Sequence, residues 1–140
     1  MFNYDGEGVT PSKFELLPDG KYLSEITDAA PTKAKSSGND MVTVHYKVVK
    51  PDIYKGRKIM YHNVVFVPKG EQGAGMTLHY LKSIGEPHEG KFAVNPKNWV
   101  GKRLTLTVGH KEYNGRTNNN VLSVDAADYT VTAPAEEIPF

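Results

Sequence analysis

The sequence predicts an all-β domain interrupted by one short helix, and three observations predict it. Apolar and polar residues alternate in two stretches, Val42 to Val48 and Leu104 to Val108, which is the period-two signature of half-buried strands. Between them Met76, Tyr80, Leu81 and Ile84 recur at helical spacings ahead of Gly85, a residue type that commonly ends helices. After the second stretch comes Asn114-Gly115, a dipeptide suited to the two-residue turn of an antiparallel hairpin.

Residues 1–19 mix glycine, proline and acidic residues without periodicity and read as an N-terminal arm. The first strand starts near Gly20 and carries Tyr22, Leu23 and Ile26, with Pro31 expected to limit its continuation. Ser36-Ser37-Gly38-Asn39 makes a turn. The second strand then sends Val42, Val44, Tyr46 and Val48 to the core and Thr43, His45 and Lys47 to water. Lys50-Pro51-Asp52 breaks it, and Tyr54-Lys55-Gly56 turns the chain into a third strand-like run from Arg57 to Val67.

That third run is apolar on both faces, so its outward side stays open. Tyr61 is an exposed platform if Met60, Val64 and Phe66 point inward, and ordinary core otherwise. Pro68 and the glycines at 70, 73 and 75 close the run, and the helix spans Met76 to Ile84. After a loop holding Pro87, Pro96 and Trp99, Gly101 leads into the fourth strand, and a fifth through Val121, Leu122 and Val124 folds back on it. Three strands, a helix and two strands is the element order of a five-stranded OB-fold barrel with the helix between strands 3 and 4. A different small barrel or an open sheet satisfies the same order. The domain is expected over residues 20–130, followed by an acidic C-terminal tail at 131–140.

The 140 residues suit one domain. The absence of cysteine removes disulfides, thiolate nucleophiles and thiolate-bound metals. No apolar run approaches the roughly 18 residues of a membrane span, and the N-terminus lacks the secretory pattern, so a soluble, cytoplasmic protein is expected. Gly73-Ala74-Gly75 opens like a dinucleotide loop but has Leu78 where the third glycine belongs. His45, His62, His79, His88 and His110 include no i, i+4 pair around a glutamate, so the zinc-hydrolase motif is missing. A non-enzymatic protein without metal or cofactor is the expectation.

Charge is segregated along the chain. Residues 1–32 hold two bases against six carboxylates, net −4; residues 33–124 hold fifteen against six, net +9; residues 125–140 hold four carboxylates and no base, net −4. A field of +9 on about ninety residues suits a polyanion, although a solvated surface has the same composition. Single nucleic-acid strands are held by cations along the phosphates and aromatic rings against the bases. The candidates here are His45, Lys47 and Arg57, the ring of Tyr61, and two basic loops: Lys33 and Lys35 after the first strand, and Lys111, Tyr113 and Arg116 around the Asn-Gly turn. In OB barrels the ligand crosses strands 2 and 3 between these two loops.

The C-terminus reads as a docking peptide. Glu136, Glu137, Ile138, Pro139 and Phe140 offer two apolar anchors, acidic neighbours and a carboxylate, which a partner can take in an apolar pocket rimmed by bases. These five residues resemble the acidic tip of bacterial single-stranded-DNA-binding proteins, which also close on Ile-Pro-Phe. Gly20-Lys21-Tyr22, Ser37-Gly38-Asn39-Asp40-Met41, Tyr54-Lys55-Gly56, Leu81-Lys82-Ser83-Ile84-Gly85 and Tyr113-Asn114-Gly115 are similar to a bacteriophage family of OB-fold single-stranded-DNA-binding proteins, over roughly residues 20 to 125.

The resemblance implies a sequence-independent single-strand binder in the bacterial host cell, serving phage replication, recombination or repair, whose tip recruits partner enzymes. It leaves self-association open and does not imply a tetramer: the bacterial proteins have a long Gly- and Gln-rich linker and a tetramer-forming barrel, whereas here the linker is almost nil and the body motifs differ. A protein-interaction module on the same barrel is the alternative.

Overall fold

The structure, a computed structural model, describes residues 1–8, 16–113 and 115–132, with Tyr113 and Arg116 described by their backbone alone. Its elements are β1 (Gly20–Lys33), β2 (Asp40–Lys50), β3 (Lys58–Val65), α1 (Ala74–Ser83), β4 (Arg103–Tyr113) and β5 (Arg116–Ala126), with 3-10 turns at Asp52–Tyr54 and Pro96–Trp99. The five strands make one antiparallel sheet in the order β3-β2-β1-β4-β5. Tyr113 pairs with Arg116, so β4 and β5 form an antiparallel hairpin, while Asn114 of the expected Asn-Gly turn lies outside the described residues.

β1 serves two partners: its first half, Gly20 to Glu25, pairs with β4, while Leu23 to Lys33 pairs with β2. Pro31 does not limit β1, contrary to the sequence expectation, for it pairs with Val42 and the strand runs on to Lys33. Beyond Glu25 the β4 side of β1 has no partner strand, so a residue without an N–H removes no ladder bond there.

The alternation on β2 and β4 builds the core. Val42, Val44, Tyr46 and Val48 are buried, as are Leu104, Leu106 and Val108, and they meet Tyr22, Ile26, Trp99 and the helix residues Tyr80, Leu81 and Ile84. Trp99 lies within this core, with its ring against Tyr80 and Phe66. Met76, expected on the inner face of the helix, is 76% exposed. Thr77 takes the inner position, where its hydroxyl donates to the Val65 carbonyl and accepts from the Val67 N–H. Gly85, at φ 77°, ends the helix as the spacing predicts: its N–H reaches the Lys82 carbonyl and that of Glu86 reaches Leu81, the paired bonds of a left-handed glycine stop.

The sheet does not close on itself. β3 and β5 are its edges, run parallel to one another, and approach without a ladder between them. Over one half of their length α1 bridges the gap, through Thr77 to Val65 of β3 and through His79 Nε2, which donates to Val124 O of β5 at 2.7 Å. The other half of the gap is open. The N-terminal arm meets the body beside that opening. Leu17 is buried; its N–H donates to Asn119 Oδ1, and its carbonyl accepts from Asn119 Nδ2 and His110 Nε2.

Candidate functional site

His45 faces outward from the middle of β2, and the sheet is distorted on both sides of it. On β1 an extra residue, Thr27, falls between the pairs Ile26 with Tyr46 and Asp28 with His45. Its hydroxyl donates to the His45 carbonyl. On β3, Met60 and Tyr61 together stand opposite His45, between the pairs Tyr46 with Ile59 and Val44 with His62. Bulges of this kind re-aim side chains and raise the local twist.

The β3 bulge settles which way Tyr61 points. Tyr61 is the one non-glycine residue with positive φ among the described residues, at 60°, a left-handed conformation that costs a bulky side chain about 1–3 kcal/mol unless its surroundings hold it. His45 is what holds it: the Tyr61 N–H donates to His45 Nδ1 at 2.9 Å, and the two rings meet edge to face with centroids 4.8 Å apart. The Tyr61 ring is 73% exposed and Met60 beside it 44% exposed. Val64 is buried and Phe66 partly buried, but Met60 does not join them in the core. Tyr61 is therefore outward because the bulge breaks the alternation, not because Met60 points in.

The open half of the β3–β5 gap forms a groove of about 810 Å³ lined by Lys58, Ile59, Met60, Tyr61, Asn63, Lys111, Asn118 and Asn119. Among the described residues no carboxylate lines it. Lys58 and Lys111 are exposed and have no ion-pair partner among the described residues. Asn63 is fixed by the Thr43 hydroxyl, which donates to its Oδ1 at 2.8 Å. Sequence reasoning missed Met60, Asn63, Asn118 and Asn119 as parts of a site. The run Asn118-Asn119-Asn120 inside β5 was the available signal, since asparagine is depleted in strands and a run of three needs another reason.

The other expected residues divide by position. Lys111 stands at the groove; Arg57 precedes β3 at the same end, half-buried and interacting with its surroundings. Tyr113 and Arg116 flank the adjacent turn through their backbones, and their side chains lie outside the described structure. Lys33 and Lys35 are at the β1–β2 hairpin, beside the Val65 end of β3. The eight residues of β3 separate the two basic ends, about 25 Å of extended chain.

Lys33 and Lys47 stand in ion pairs. Lys33 pairs with Asp40 across the hairpin, and Lys47 with Glu25 at 3.3 Å. Glu25 also accepts from Arg103 Nε at 3.1 Å. The Arg103 guanidinium, with Lys47 second, holds the Glu25 carboxyl below the usual range. Exposed pairs of this kind are weak, so a phosphate can displace the carboxylate, but Lys47 adds less to the field than its charge suggests.

Behind this surface lies a hydrogen-bonded chain that is buried at Tyr46 and Tyr80 and part-buried at His62. The Tyr46 hydroxyl is 2.7 Å from His62 Nδ1 and 2.6 Å from the Tyr80 hydroxyl. Burial lowers the His62 pKa to about 4 and raises both tyrosines above the ordinary value. A neutral imidazole can accept from Tyr46 while Tyr46 accepts from Tyr80, which satisfies the chain. Beside α1 a second hollow, about 430 Å³, is mostly apolar, with Met76, Val121, Leu122 and Val124 among its lining. Among the described residues no three His, Asp or Glu side chains gather as metal ligands, and no helix is long and apolar enough to cross a membrane. Glu136, Glu137, Ile138, Pro139 and Phe140 lie outside the described residues.

No curated protein matches this sequence. A family model does, across residues 2–134, and the chain belongs to that family, described as protein of unknown function (DUF669).

Proposed function

We propose that this protein is an OB-fold binder of single-stranded DNA that acts without sequence preference in phage DNA replication, recombination or repair. The observation that carries the reading is Tyr61: an exposed ring held in a strained left-handed backbone by His45, at the mouth of a groove rimmed by Lys58 and Lys111. Strain of this kind persists where a structure uses it, and an exposed ring beside cations is the chemistry that holds unpaired bases.

The topology supports the same reading. A five-stranded, partly open barrel with its ligand path over strands 2 and 3 describes an OB fold. The shared β1, the helix between β3 and β4, and the gap between β3 and β5 fit that description. In this reading bases stack on Tyr61 while phosphates track from Lys35 at one hairpin to Lys111 at the other. Glu136, Glu137, Ile138, Pro139 and Phe140 recruit partner enzymes.

The test is an electrophoretic shift of single-stranded against double-stranded oligonucleotides at two salt concentrations. Preferential retardation of the single strand, weaker at high salt with a log-log slope near −0.7 per phosphate neutralised, is expected; equal retardation or none contradicts it. Labelled oligonucleotides are the right probe, because Trp99 is buried in the core. Deleting residues 133–140 is expected to abolish enzyme recruitment and to leave or strengthen DNA binding. The apolar hollow beside α1 favours a second reading, a protein-interaction module, which predicts no shift with either oligonucleotide.

A further inference from the structure

Phe2 and Tyr4 stand in water at 87% and 77% exposure, with Met1 fully exposed, while the core is well formed elsewhere. Three large apolar side chains within four residues are followed by Asp5 and Glu7, where the Glu7 N–H donates to Asp5 Oδ1 and sets a turn. The segment therefore offers two rings and two carboxylates in sequence. That is the inverse of the groove, which among the described residues offers Tyr61, Met60, Lys58 and Lys111 and no acid.

The attachment point brings the two together. The chain enters the body at Leu17, whose N–H and carbonyl are both held by Asn119, and Asn119 itself lines the groove. Eight residues lie between Gly8 and Leu17, enough to span roughly 30 Å when extended. Reach does not limit contact, and a short tether raises the effective concentration of the segment at the groove to the millimolar range.

We infer that residues Met1 to Gly8 are a second ligand of this groove: an acidic, aromatic peptide of the same chain that occupies the places of bases and phosphates and competes with a single strand. The inference rests on the DNA-binding reading for its consequence, but not for the contact itself. Phe2 and Tyr4 take the stacking surface of Tyr61 and Met60, and Asp5 and Glu7 face Lys58 and Lys111. Incoming DNA displaces the segment, so the free groove is screened until a polyanion outcompetes it.

The test compares the full chain with one lacking residues 2–8 and with the quadruple variant Phe2→Ala, Tyr4→Ala, Asp5→Asn, Glu7→Gln. Amide chemical shifts of Tyr61, Asn63, Lys111 and Asn118 are recorded without DNA, and affinity for a thymidine oligonucleotide is measured at low and high salt. Both variants are expected to move those amides and to bind the oligonucleotide about threefold to tenfold more tightly at low salt, as when a groove competent in roughly a tenth to a third of molecules becomes fully open. A synthetic Met1–Gly8 peptide added to the truncated chain should return the shifts toward their original positions. Unchanged amides in both variants overturn the inference, as does unchanged or weaker DNA binding where the oligonucleotide binds. If no form binds the oligonucleotide, the DNA reading fails, while the peptide-induced shifts still decide whether the segment contacts the groove.

Discussion

His45 and His62 lie on neighbouring strands, and each meets a tyrosine, but on opposite faces of the sheet. His62 turns inward, where burial keeps it neutral and its Nδ1 closes a chain with Tyr46 and Tyr80. His45 turns outward, where its Nδ1 takes the N–H of Tyr61 and its ring meets the edge of an exposed tyrosine. The same pair of residue types builds an internal brace in one place and an aromatic platform in the other. The difference comes from the two bulges opposite His45, which re-aim the side chains around it.

The comparison breaks first under acid. The folded pKa of His62, about 4, lies below its ordinary 6.5, so between those values the unfolded chain binds a proton that the folded chain refuses. This group's contribution to stability is therefore intact above pH 6.5 and is lost as pH falls toward 4, by at most about 3 kcal/mol. Denaturant midpoints across that window should decline, and His62→Gln should flatten the decline; an unaltered pH profile in the variant would remove His62 from the account.

Tyr46→Phe tests the same brace at constant pH. It leaves His62 and the Tyr80 hydroxyl without their shared partner, at a cost of about 1–3 kcal/mol, and should not alter oligonucleotide affinity. Loss of affinity at unchanged stability would show that the inner chain belongs to the binding surface after all.

On the outer face, Lys58→Ala with Lys111→Ala should make the salt dependence of oligonucleotide binding shallower by about 0.7 for each phosphate contact removed, with little change in melting temperature. The smallest effect is expected from Glu25→Gln, which frees Lys47 from its carboxylate and should tighten binding slightly at low salt. Weaker binding in that variant would mean that Glu25 orients Lys47 rather than competing for it.

Much of the fold was legible from short-range pattern. The alternation on β2 and β4 and the stop at Gly85 each report a local preference that the packing left standing. The strand limits were less legible: Pro31 reads as a stop only until it is known that one side of β1 carries no partner there. Met76 fits the helical spacing of the core yet faces out, because Thr77 ties α1 to β3 by a hydrogen bond that apolar periodicity does not register.

The candidate site was half legible. His45 and Lys47 follow directly from alternation on β2. The direction of Tyr61 does not, since one extra residue in β3 resets the period. The groove itself joins β3 to β5 across the gap, a juxtaposition of residues some fifty positions apart that no local pattern records.

The most direct measurement removes the ring and keeps the backbone. Tyr61→Gly suits the left-handed φ and deletes the stacking surface, so the protein should melt at the same or a higher temperature. Titration of a labelled thymidine oligonucleotide by fluorescence anisotropy should then show about a tenfold to hundredfold loss of affinity, the equivalent of about one lost stacking contact. Undiminished affinity in a fully folded Tyr61→Gly protein would contradict the account.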